Sequence, residues 1–175
     1  MAEKIGVVAF AFGVPSTIRS NQFIASTALE EARACGAPIY TQKDIQINDP
    51  QINIERIAEA SGSPSPTLRI ARGAVRWAHN LGLETLIVVA AEPHMSRCFR
   101  DLEYAVREAM RGRLGKKDKA YIYVTTPRHA TYHHEFHEWF CPNSEQARTR
   151  SREDWEKGER IIRSMPMWLY KLVAS

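Results

Sequence analysis

His94 and Arg97 stand one helical turn apart, directly after a run of β-branched and aliphatic residues that stops at Glu92 and Pro93. In an open α/β sheet, ligands sit where strands end and helices begin, and helix N-termini attract anions through free backbone N–H groups. A histidine and an arginine at i and i+3 add a titratable donor and a fixed fork of donors to that place. His94 is then the expected acid or base, with an ordinary pKa of about 6.5. Glu92 orients it or receives its proton, and Arg97 holds anionic charge. The plainer alternative has His94 capping the helix and Arg97 paired with Asp101, its i+4 neighbour.

Two further segments follow apolar strands and carry polar side chains. Residues 13–21 hold Gly13, Ser16, Thr17, Arg19, Ser20 and Asn21. Gly13 would let a ligand approach the backbone, while Ser16 and Asn21 would offer a hydroxyl and an amide to it. An ordinary strand-to-helix turn explains the same residues. Neither GxGxxG nor GxxxxGK[ST] occurs, so the usual dinucleotide and phosphate loops are not expected. No GxSxG elbow occurs either, which leaves little support for Ser-His-Asp hydrolysis.

Residues 129–141 are dense in histidine and aromatic side chains. His133 and His137 are spaced i, i+4, and Cys141 follows one turn later. On a helix these three could hold zinc, giving a metal-dependent hydrolase as one alternative. The HExxH order is absent. Tyr132, Phe136, Trp139 and Phe140 fit a lid or a self-association surface equally well, so a non-catalytic interaction protein is the other alternative.

The elements that must position these residues can be read from periodicity. Continuous apolar sequence over residues 4–12 predicts a strand covered on both faces. A helix is expected over 20–35, closed by Gly36, then a short strand over 38–42. Residues 54–60 suggest a short helix. Leu68, Ala71, Val75 and Ala78 recur at helical spacing over 67–81, and Gly82 ends that helix. A strand over 84–91, a helix over 94–112, a strand over 120–125 and a helix over 151–173 interrupted near Pro166 complete the order. Acidic Glu153, Asp154, Glu156 and Glu159, mixed with basic residues, read as a solvated helix face.

Strands alternating with helices predict a single-domain, Rossmann-like, doubly wound and mostly parallel α/β sheet over residues 1–175, with helices on both faces. The 175 residues are 44% hydrophobic and 25% charged, a composition able to fill one core. Three scattered cysteines give no disulfide framework. A formal charge of +4 is too small and too dispersed for a nucleic-acid partner to be expected. No stretch reaches the roughly 18–20 apolar residues of a membrane span. With no secretory leader pattern, a cytoplasmic address and no membrane partner are expected, and a homo-oligomer remains open.

The stretch 84–97, with His94, Met95 and Arg97 after an apolar strand, resembles the His-x-x-Arg signature of the YdcF-like (SanA-like) family of bacterial proteins. Glu59, Ser65 and Thr67 are similar to that family's acidic residue, serine and threonine ahead of the preceding helix. The first strand ending at Gly13 and the apolar, tyrosine-containing C-terminal helix are also similar. Where the family commonly has Glu-Asn, Arg69 and Ile70 stand here, and its Ser-Gly-Gly strand end is replaced by residues 39–42. The resemblance covers residues 59–110 best. It implies a Rossmann-like fold with a ligand pocket at the strand ends, and adds Glu59 and Thr67 to its residues. The expected ligand is a small anionic or nucleotide-like molecule, with transfer or hydrolysis at that ligand left open and no particular cofactor implied.

Overall fold

A computed structural model describes residues 4–57, 66–111, 121–128 and 139–174. Five strands form one all-parallel sheet in the order β3-β2-β1-β4-β5. They are β1 (Ile5–Ala9), β2 (Ile39–Thr41), β3 (Ile54–Arg56), β4 (Thr85–Val89) and β5 (Tyr123–Thr125). The chain winds outward from β1 to β3, crosses back to β4 beside β1, and continues to β5. This is the Rossmann-like, doubly wound arrangement, and its winding reverses between β1 and β4.

Alternation along the central strands divides the core into two layers. Val7 and Ala9 of β1, with Ile87 and Val89 of β4, face α1 (Arg19–Cys35) through Ile24 and Ala28. Val8 and Phe10, with Leu86 and Val88, face α2 (Thr67–Leu81) and α3 (Glu92–Arg111). Helices therefore cover both faces, and the central strands are apolar on both sides for that reason. In α2 the expected stripe Leu68, Ala71, Val75 and Ala78 is buried throughout. Gly36 and Gly82, at φ +62° and +67°, end α1 and α2 in left-handed conformation.

The short helix expected over 54–60 is not found: Ile54–Arg56 is the edge strand β3, with Ile54 opposite Ile39 and Arg56 opposite Thr41. The isoleucines explain it. Ile52 and Ile54 pack on the α1 layer and Ile57 on the other, which is strand spacing and not helical spacing. The C-terminal sequence forms two helices, α4 (Arg152–Ser164) and α5 (Met167–Ala174), separated at Pro166. Among the described residues no helix is long and apolar enough to cross a membrane.

Candidate functional site

Beyond β1 the chain turns around Gly13, and the turn is held from within. Asn21 Oδ1 accepts from the Phe12 N–H at 2.9 Å, while its Nδ2 donates to the carbonyls of Gly13 and Pro15 at 3.0 and 3.2 Å. Ser20 Oγ donates to the Phe12 carbonyl, and Gln42 Oε1 accepts from the Ala11 N–H at 2.8 Å. Asn21 is fully buried, so its amide secures the loop and has no face left for a ligand.

Gly13 has φ +98°, and a Cβ there would lie 2.6 Å from Thr149 Oγ1 and 2.8 Å from Ser144 Oγ. The close approach that glycine permits is thus made by the chain's own segment 144–149. Ser144 Oγ accepts from the Val14 N–H at 3.3 Å and sits 2.8 Å from Thr149 Oγ1. Ser16 is half-buried in this turn and lies outside the cavity described next. The place where a dinucleotide pyrophosphate rests in many Rossmann folds is therefore occupied by protein.

The opening lies on the β4 side of the switch point. A cavity of about 350 Å³ is lined by Gly13, Thr67, His94, Arg97 and Arg148 on its polar side. Phe12, Ile70, Trp155, Ile162 and Tyr170 supply apolar surface. Thr67 opens α2, and His94 and Arg97 fall in the first two turns of α3, so both helices start at this cavity.

His94 is buried among the rings of Phe10, Phe12 and Trp155. Its Nε2 lies 3.1 Å from Arg97 Nη2 and 3.2 Å from Thr67 Oγ1. A guanidinium only donates, so Nε2 is the bare nitrogen and Nδ1 carries the proton, an assignment made from this network. Burial, then the charges of Arg97 and Arg148, hold the imidazole well below its ordinary 6.5, against a smaller opposing pull from the Ala11 backbone. His94 is accordingly neutral near pH 7 and steers Arg97.

Arg97 Nη1 reaches Glu159 Oε1 at 2.6 Å, and Arg148 Nη2 lies 3.5 Å from the same oxygen. Both guanidiniums lie against Trp155, 4.8 and 5.3 Å from its ring centre. Side-chain exposure is 9% for Arg97 and 7% for Glu159. Burial and the neighbouring Arg97 charge lower the Arg148 pKa, a sign of crowded positive charge. Arg148 fits because Gly158 of α4 has no side chain, since a Cβ there would sit 2.6 Å from Arg148 Nε.

Of the residues expected from sequence, the structure brings Gly13, Thr67, His94 and Arg97 to one cavity. Glu92 is exposed at the start of α3 and lines a neighbouring groove with Ser96, Arg152 and Glu156, away from the His94 ring. Asp101 does not pair with Arg97. It accepts from Arg100 Nε at 3.0 Å and from the Tyr170 hydroxyl at 2.5 Å. Glu59, His133 and His137 lie outside the described residues, as do Ser65, His129 and His134. Cys141 is half-buried with Sγ 3.7 Å from Ser20 Oγ. Among the described residues no group of three potential metal ligands gathers.

Arg148, Trp155, Glu159 and Tyr170 belong to the site and were not singled out in the sequence. The solvated face expected of α4 fails at Glu159, which is buried. A signal existed: Trp155, Glu159 and Ile162 follow i, i+4, i+7, which puts a carboxylate on the apolar stripe.

Fold and site together define a Rossmann-like α/β protein with a cationic cavity at its switch point. In comparisons with known proteins, the chain matches no family model, no curated protein and no solved structure.

Proposed function

We propose that this chain binds a small anionic or nucleotide-like molecule in the cavity at the C-terminal ends of β1 and β4. The observation that carries this reading is the charge count at the wall among the described residues: a buried guanidinium, Arg97, and a partly exposed one, Arg148, share one carboxylate, Glu159. Burying charge without a counter-charge is expensive, and an anion entering the cavity relieves it. Thr67 supplies a hydroxyl and the N-terminus of α2 a partial positive charge. The resemblance to YdcF-like proteins agrees with a pocket at this strand end and is proposed as a distant kinship. A cytoplasmic setting and transfer or hydrolysis at the ligand stand as parts of the same proposal.

A thermal-shift screen over cyclic and linear nucleotides, organic carboxylates and sugar phosphates tests it. Saturation to about 100 times Kd adds roughly 2.7 kcal/mol to the folded state. The stabilising compound should lose its effect in Arg148→Gln, which removes one cation and leaves the Arg97–Glu159 pair. If every stabilising compound acts equally on that variant, the cavity is not the site.

A further inference from the structure

We infer that the cavity selects a singly charged oxyanion, a carboxylate or a phosphodiester, over a phosphomonoester dianion, because Glu159 already cancels one of its two guanidinium charges. This rests on the cavity being the ligand site, and narrows what it takes.

The count uses the charged groups packed around the site among the described residues. Arg97 and Arg148 contribute two positive charges and Glu159 one negative, leaving one positive charge. Glu159 is held in place by both guanidiniums at 2.6 and 3.5 Å, so it does not leave when a ligand arrives. Asp101 lies near Arg97 but is matched by Arg100 at 2.9 Å. Arg163 sits 4.0 Å from Glu159 Oε2 with its side chain 65% exposed, where water screens it. His94 is neutral while Arg97 donates to its Nε2. The first turn of α2 lends roughly half a charge at most, short of a second full one.

The remaining walls set the penalty for excess charge. Beyond the two arginines, the described wall holds apolar Phe12, Ile70, Ile162 and Trp155 and the uncharged Gln42, Gln146 and Thr149, so a second negative charge meets no further cation there. The same apolar surface suits an apolar body behind the charged head.

Three probes that share a phenyl body separate charge from shape: benzoate, methyl phenyl phosphate and phenyl phosphate. Near pH 8 the first two carry one negative charge and the third carries two, because phosphomonoesters lose their second proton near about pH 6. Calorimetric titration of the wild-type chain should show at least one monoanion binding tenfold or more tighter than phenyl phosphate. The tighter of the two monoanions tells a carboxylate from a phosphodiester source. Glu159→Gln keeps the shape and removes the charge, and should shift the ratio at least tenfold toward phenyl phosphate. Should that variant fail to fold, the wild-type ranking decides alone. Phenyl phosphate binding as tightly as the tighter of the two monoanions overturns this inference and leaves the cavity an anion site. Binding of none of the three to the wild-type chain overturns both.

Discussion

Arg97 Nη1 sits 2.6 Å from Glu159 Oε1, tying the first turns of α3 to the middle of α4 through a pair from which water is almost excluded. Such a pair stabilises little relative to an apolar substitute, yet breaking it by removing one partner is strongly destabilising, because the other charge is stranded. Arg97→Ala should lower unfolding stability by about 3 kcal/mol, and Glu159→Ala by a similar amount. Removing both should be less harmful than the sum, with a coupling of at least about 1 kcal/mol in a urea-unfolding double-mutant cycle. Additive single losses would mean that the two side chains do not depend on each other.

Gly158→Ala offers a way to unseat Arg148 without touching it. Alanine is the better helix former by about 1 kcal/mol, so α4 itself should gain. Its Cβ, however, would meet Arg148 Nε at 2.6 Å and Nη2 at 2.8 Å. The flexible arginine is expected to swing out, leaving the melting temperature unchanged or raised while ligand affinity drops about tenfold, or roughly 1.4 kcal/mol. Wild-type affinity in this variant would show that Arg148 does not contribute where it lies.

His94 should make stability depend on pH below neutrality. Its folded-state pKa is lowered well below the 6.5 of the unfolded chain. As pH falls through about 6.5 the unfolded state takes up a proton first, so stability is full above that value and declines below it, until the folded form titrates as well. Buried Asp101, whose carboxyl is raised by burial, works in the opposite sense but is present in any His94 variant. Unfolding free energies measured between about pH 8 and pH 5 should fall toward acid in the wild-type chain, and His94→Gln should flatten the slope. Equal slopes in the two proteins would assign the acid sensitivity elsewhere.

The sheet was legible because its signals are local. Helical spacing in 67–81 and the β-branched and aliphatic run in 85–89 match α2 and β4, and the positions of His94 and Arg97 follow from the end of that strand. Three-residue β3 was too short to display a period, and Ile54 with its flanking Ile52 and Ile57 did not reveal one on paper. Asn21 has the chemistry of a ligand contact, but the loop it closes takes both of its amide donors and one bond to its Oδ1, and the side chain is buried. Glu159 was lost among acidic neighbours because its burial depends on Arg97, which lies far away in sequence and adjacent in space.

The turn after β1 has a kinetic consequence. Val14 and Ser144 stand 130 residues apart along the chain, and Gly13 takes its conformation against Thr149. Closing a loop of that span is entropically uphill before any contact repays it, and chains rich in distant contacts fold slowly. The β1–β4 frame can assemble from nearer partners, whereas the cavity wall formed by 144–149 and α4 cannot exist until the far end of the sequence docks. That wall of the cavity is therefore expected to form late in folding and to be lost early when docking is weakened.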